Sequence, residues 1–303
     1  MKDLIPHYIN KIEGHGSLKV DFSRQEVQMQ IHEGERLFES MMLERDILDA
    51  VFIPQRICGV CPTAHCMGSI KALEDALEVE PSQSTIELRK LMLCGQMIQS
   101  HALHIFFLAL PDYLGVDSSL ALAESDPEKF MLALHLKKYG DKIVEYVGGR
   151  PVHPITPTIG GFSREPVHEK IEDIIEEGML VLTDARKAVE LFTKLEYPHL
   201  KTESYHMGLQ DGREYGYYDG VVASSHGDVF PVQDYMKSIS ETARDYSTAK
   251  FSSHDGHPFM VGSLARLNID EGIHLNTETK KLLQDLGVSF PSFNPFHNNL
   301  AQA

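Results

Sequence analysis

The chain is predicted to be mainly α with minor β: an α+β protein with a helical bundle core and an N-terminal β-hairpin region. Three long segments carry apolar residues at helical spacing and end at Pro or Gly, which argues for packed helices. A pair of strictly alternating runs near the N-terminus argues for a hairpin. Hydrophobic residues make up 42% of the 303 positions, enough for a substantial core.

In chain order, Leu18, Val20 and Phe22, then Val27, Met29 and Ile31, alternate with polar residues, with Ser23–Glu26 as the turn. From Gly34 to Ala50 the period becomes helical through Leu37, Phe38, Met41 and Met42. A loop carrying two cysteines follows, then a helix from Cys66 to Leu77. Residues 84 to 110 form the longest predicted helix, with Ser84 as N-cap, Glu87 as capping-box acid and Pro111 as its end. Further helices are expected from Asp126-Pro127 to Val147, ending at Gly148-Gly149, and from Pro166 to Leu195, closed by Tyr197-Pro198. Residues 199 to 232, rich in Gly, Tyr and His, read as short strands and loops, and shorter helices are expected over 233–246 and 277–286. No internal repeat, low-complexity tract or linker interrupts residues 1–303, which are read as a single domain.

The formal charge of −16 argues against nucleic-acid binding, which needs a basic face. Four cysteines, three of them clustered, do not make a disulfide framework; they point to a reducing compartment or a metal site. Cys66 and Cys94 are expected to pack as buried thiols. No basic start and apolar run marks a signal peptide, and the longest apolar run, Ile105–Leu110, is too short to span a bilayer. No transmembrane segment and a cytoplasmic location are therefore expected.

The chemistry concentrates in Arg56-Ile57-Cys58-Gly59-Val60-Cys61-Pro62-Thr63-Ala64-His65. Two thiols three residues apart, with a glycine between them, can converge on one soft metal. A bare Cys-x-x-Cys serves zinc, iron–sulfur and thiol-redox sites alike. The longer string R-x-C-G-x-C-x-x-x-H resembles the N-terminal cysteine motif of [NiFe]-hydrogenase large subunits. Lys11-Ile12-Glu13-Gly14-His15 resembles that family's R-I-E-G-H string, with lysine in place of arginine. So do Ser100-His101-Ala102-Leu103-His104, Gly148-Gly149-Arg150-Pro151-Val152-His153-Pro154 with Gly160-Gly161-Phe162, Val261–Asn268 and Asn294–Asn299 with their counterparts. The order is kept along nearly the whole chain.

The resemblance implies a hydrogenase large-subunit-like fold and the reaction H₂ ⇌ 2H⁺ + 2e⁻ at a Ni–Fe centre with diatomic ligands on the iron. It implies Cys58 as a terminal thiolate on nickel, Cys61 as a thiolate bridging nickel and iron, and His65 as a hydrogen-bond donor to that bridging sulfur. Arg56 is expected to lower the thiol pKa values. Glu13, on spacing alone a turn carboxylate, becomes the first proton relay, a group that desolvation would suit to take a proton near neutral pH. Glu39, on spacing alone an exposed helix charge, becomes a ligand of a buried Mg²⁺. Electrons would leave through iron–sulfur clusters on a small subunit, then through further electron-transfer subunits.

The family's second motif, D-P-C-x-x-C-x-x-H, has no counterpart, since no cysteine follows Cys94. The chain thus resembles the N-terminal two-thirds of a large subunit, and the sequence is expected to be C-terminally incomplete or half of a split subunit. Three other readings compete. One is a non-catalytic relative. Another is a quinone-cavity subunit of the complex I type, whose members generally lack the cysteines. The third is a zinc-binding structural or assembly module built on Cys58, Cys61, His65 and Cys66, in which adjacent His65 and Cys66 would make tetrahedral ligation awkward.

Overall fold

The computed structural model describes residues 7–197, 204–285 and 287–292. The chain, read as one domain, divides by its internal contacts into two compact units, Met1–Ala188 with Tyr246–Ala249 and Val189–Asp245 with Lys250–Ala303. The expected string Asn294–Asn299 lies outside the described residues.

The first unit opens with a three-stranded sheet of β1 (His7–Tyr8), β2 (Gly16–Asp21) and β3 (Glu26–Ile31), antiparallel throughout. The hairpin turn is tight because Asp21 Oδ1 accepts the N–H groups of Ser23 and Arg24 at 2.9 and 3.0 Å. The helix expected over 34–50 is interrupted. It forms as α1 (Glu35–Met42) and a single turn, α2 (Asp49–Phe52), with Glu44 between them at φ +61°. The Asp46 carboxylate takes the Leu48 N–H at 2.9 Å, a local bond that competes with helix continuation.

The long helix is also divided. α4 spans Gln83–Ala102 and is capped by Ser82 rather than Ser84, its hydroxyl accepting the Thr85 N–H at 3.3 Å. Glu87 is not a capping-box acid; it accepts from Gln83 one turn back at 2.6 Å. Leu103–Ala109 then widens into a π-helix, in which the Leu110 N–H reaches the Ile105 carbonyl five residues back. Pro111 explains this: it has no N–H for the Phe107 carbonyl, and its ring would clash with that carbonyl in an α-helix. Pro111 therefore opens α5 (Leu110–Leu114) instead of ending α4. By length and hydropathy the continuous stretch Gln83–Leu114 could cross a bilayer. Its buried Arg89, Gln96 and Gln99, each held by polar partners, mark it as the core helix of a bundle.

After α6 (Ser119–Ser125), α7 (Pro127–Gly148) packs directly on α4. A Cβ on Gly95 would lie 2.6 Å from Ile143, and one on Gly140 would lie 2.6 Å from the Gly95 carbonyl, so the two backbones touch. Both ends of α7 match expectation: Asp126 caps the start, accepting the Lys129 N–H at 3.1 Å, and Gly149 ends it at φ +80°. α8 (His168–Phe192) is fastened to α7 by Tyr139 donating to the Ile174 carbonyl at 3.0 Å and by Lys142–Glu177 at 2.6 Å.

Residues 149–162, including the two-stranded β4 (Pro157–Thr158) and β5 (Gly161–Phe162), form a strap over α3 (Pro62–Leu77) and α4. Arg89 and Glu74 form a bidentate ion pair at 2.9 and 2.6 Å, with side chains 0% and 6% exposed. Glu74 also accepts the Gly160 N–H at 2.7 Å, and Arg89 donates to the Thr158 carbonyl at 3.1 Å. The strap is tied nearer its start by Gln99 donating to the Pro151 carbonyl and by His153 Nδ1–H donating to the Gln55 carbonyl, at 3.2 and 3.1 Å.

The second unit is built on a six-stranded sheet in the order β8-β7-β6-β11-β10-β9. The strands are β6 (Tyr205–Gln210), β7 (Val221–Ser224), β8 (Val229–Phe230), β9 (Ile239–Arg244), β10 (Ser247–His254) and β11 (His257–Met260). β6 and β11 run parallel, and β6–β7, β7–β8 and β10–β11 run antiparallel. The helix expected over 233–246 shrinks to one turn, α9 (Tyr235–Ser238), before the chain becomes β9. α10 (Ser263–Asp270) packs on β6, and α11 (Thr277–Asp285) matches expectation. Buried Asn268 donates to His206 Nδ1 and exchanges two 2.7 Å bonds with the Ser292 backbone.

Removing one partner of a buried ion pair strands the other charge, so Arg89→Met should cost about 3–5 kcal/mol in urea unfolding, and adding Glu74→Met should recover part of it. A second expectation concerns His274, whose pKa is raised chiefly by its 2.5 Å hydrogen bond to Asp270. Its contribution is full below the ordinary histidine value of about 6.5 and is lost as pH rises through the raised folded value. The Tm difference between wild type and His274→Gln should therefore be largest in mild acid and shrink in mild alkali.

Candidate metal centre

The cysteine motif is assembled from three local elements. A 3₁₀ turn, Pro54–Ile57, delivers the chain to Cys58, which is extended at φ −135°, ψ 136°. Cys61 then occupies the N-cap of α3, with Pro62 in the first helical turn, so the helix starts four residues before the expected Cys66. Gly59 does not take a left-handed φ, and a Cβ there would meet no atom within 4 Å. The sulfurs converge for another reason. Cys58 Sγ accepts the N–H groups of Val60 and Cys61 at 3.3 and 3.0 Å, which curls the chain around it.

His65, one turn into α3, completes the cluster, its N–H bonded to the Cys61 carbonyl at 3.4 Å. One donor atom from each of Cys58, Cys61 and His65 lies within 4.8 Å of the others. Cys58 is buried, and Cys61 and His65 are half-buried. Burial pushes the Cys61 thiol up to about 12, with Cys58 and then Glu13 adding to it, and burial lowers the His65 pKa. Without a cation Cys61 is thus a neutral thiol and His65 a neutral imidazole. A soft cation would bind by displacing the Cys61 proton.

Glu13 is brought to this cluster by a loop that turns at Lys11 (φ +59°) and Gly14 (φ +90°). Its Oε1 lies 3.4 Å from Cys58 Sγ, within reach of a thiol proton. Lys11 anchors the loop through an ion pair with Asp112 at the start of α5. Glu13 is nonetheless exposed, so the described residues do not build the dry surroundings expected for it. Arg56 is exposed too; its charge acts on His153, whose pKa is lowered first by burial and then by Arg56. Glu39 lies on an exposed face of α1, outside the thiol cluster.

Of the remaining cysteines, Cys66 is fully buried and its thiol is pushed up to about 12 by burial, as expected of a packed thiol. Cys94 departs from expectation and is exposed on α4. Neither joins the ligand cluster among the described residues, so the four-ligand zinc arrangement is not assembled. His101 closes α4 and His104 sits on the π-helical stretch; neither joins the thiol cluster. Sequence reasoning missed Gln96. Buried on α4, it accepts the Ala64 N–H at 2.9 Å, one residue before His65. Its place within the apolar stripe Met92, Leu93, Gln96 is the only signal that it points inward.

Residues 36–146 match the family model described as nickel-dependent hydrogenase. The chain is 34% identical to the alpha subunit of sulfhydrogenase 1 from Pyrococcus furiosus, over 98% of this chain and 70% of that one. It is 30% identical to a chain of the F420-non-reducing vhu hydrogenase of Methanocaldococcus jannaschii, over 89% of this chain and 71% of that one. Among solved structures, its fold is similar to a chain of an NAD⁺-reducing [NiFe]-hydrogenase in the H₂-reduced state. The TM-score is 0.86 at 23% identity, covering 99% of this chain and 74% of that one.

Thiol accessibility gives a direct check. Alkylation of the folded, metal-free protein should label Cys94 first, while Cys66 should react only after unfolding, as peptide mapping by mass spectrometry would report. Early labelling of Cys66 would contradict the packing around α3.

Proposed function

This chain belongs to the nickel-dependent hydrogenase family, and on that premise we propose that it is the catalytic subunit of a [NiFe] hydrogenase. The observation that carries the proposal is the convergence of Cys58, Cys61 and His65 with Glu13 beside Cys58. The donor set fits: two thiols facing one point suit soft, electron-rich coordination, whereas a hard cation would want oxygen. Cys58 and Cys61 would hold part of a Ni–Fe centre with diatomic ligands on iron. The other thiolates that the family likeness calls for are not among these 303 residues, whose cysteines end at Cys94. When bound, the metal pair supplies the heterolytic splitting of H₂.

This chain's own residues handle the proton. Glu13 is the acceptor within reach of the Cys58 sulfur, and its exposed loop lets it pass the proton outward. Cys58 Sγ, already accepting two backbone N–H groups, is suited to a terminal role. Cys61 makes no cap hydrogen bond to α3, which would leave its sulfur available to the metals. His65 is positioned to keep its imidazole against the thiols. Glu39 would contribute a carboxylate to Mg²⁺, with further oxygen donors from beyond the described residues. Electrons would leave through iron–sulfur clusters on a small subunit, then through further electron-transfer subunits, in a cytoplasmic complex, because Cys66 and Cys94 offer no cluster site here.

In the assembled enzyme, Glu13→Gln should keep its nickel, measured by atomic emission, and slow H/D exchange by about 10²–10⁴-fold. Unchanged exchange would remove Glu13 from the relay; zinc in place of nickel at Cys58 and Cys61 would remove the metal assignment.

A further inference from the structure

We infer that Gln96 is a positioning residue for the thiol pair: it caps α3 from the neighbouring helix, so that the Cys61 sulfur is left free to face Cys58. The inference rests on the metal-holding role proposed above and adds to it a residue outside the recognised motifs.

The first N–H groups of a helix lack intrahelical partners, and the side chain at the N-cap ordinarily accepts the N–H of the second or third helical residue. In α3 the N-cap is Cys61, the first helical residue is Pro62, which has no N–H, and the third is Ala64. A cysteine at an N-cap can turn its sulfur onto its own helix, as serine turns its hydroxyl. Here it does not: Cys61 makes no side-chain cap bond. The Ala64 N–H is taken instead by Gln96 Oε1 at 2.9 Å. Gln96 is 4% exposed, so water does not stand in for it. The neighbouring contact of Gly95 against Ile143 and Gly140 fixes where the Gln96 side chain begins.

The two sulfurs are therefore treated differently. Cys58 Sγ is hydrogen-bonded by two backbone N–H groups of its own loop, whereas Cys61 Sγ is relieved of a cap bond by a side chain 32 residues beyond Ala64. A sulfur that would hold a metal keeps its lone pairs available when no N–H of its own helix claims them.

The test uses the full chain, metal-free, titrated with Co²⁺, whose thiolate charge-transfer absorption reports the Cys58–Cys61 pair. Gln96→Met keeps the shape and removes the acceptor. It should weaken Co²⁺ binding by about tenfold or more, shift the absorption toward a single-thiolate site, and speed hydrogen exchange at the Ala64 amide. Gln96→Glu, which keeps the acceptor, should restore all three. Wild type supplies a readout independent of any variant's folding: its Ala64 amide should be protected without metal. A folded Gln96→Met protein with wild-type Co²⁺ affinity and spectrum, or an unprotected Ala64 amide in wild type, would overturn the inference. Absence of Co²⁺ binding by wild type would overturn the metal reading on which it rests, and the positioning role with it. None of these readouts depends on H₂ turnover.

Discussion

Two sulfurs must aim at one point although each belongs to a backbone with uses for it. An unpaired N–H at a helix start is a strong claimant on any nearby acceptor, and here that start is only a few residues from Cys58. The first unit resolves the conflict by distributing the donors. The loop's N–H groups go to Cys58, and Ala64's goes to Gln96. Everything that fixes α3 relative to α4 then bears on the site.

The strap makes that relation firm. His153 ties it to the carbonyl of Gln55, just before the thiol loop, and the Arg89–Glu74 pair ties it to the far end of α3. One segment is thus tied both to the turn that leads into the thiol loop and to the later part of α3. The buried pair is not a large net stabiliser, because desolvation offsets most of its attraction. Its effect is specificity of placement: Glu74 has partners on α4 and on the strap, and a shifted α3 would leave a buried carboxylate without them.

What can be read from the sequence follows the strength of local signals. The hairpin alternates on either side of its polar Ser23–Glu26 link; α7 has a capping aspartate, a first-turn proline and a terminal glycine; all are legible. The π-helical stretch is not, because the period before Pro111 looks helical and the widening depends on a carbonyl the proline cannot serve. β9 is misread as the continuation of a helix and β10 escapes notice, since their sequences, Ile239–Arg244 and Ser247–His254, are mostly polar and lack alternation. Cys58, Cys61, His65 and Glu13 stand out because their strings are distinctive, and the fold brings them together. The spacing credits Gly59 with aiming the sulfurs; the aim comes from N–H groups, which no residue letter reports. Gln96 carries no signature beyond a polar residue in an apolar stripe.

The meeting of α4 and α7 at Gly95 and Gly140 has a mechanical meaning. Most helix contacts are made by side chains, which can change rotamer and let the helices creep past one another. Here peptide meets peptide, and a peptide has no rotamer to change. The crossing behaves as a hard stop, with no compliance to absorb thermal jostling or a neighbour's repacking. The carboxamide that projects from beside it therefore has a fixed origin, and the helix start it reaches is held to the same datum as the bundle itself.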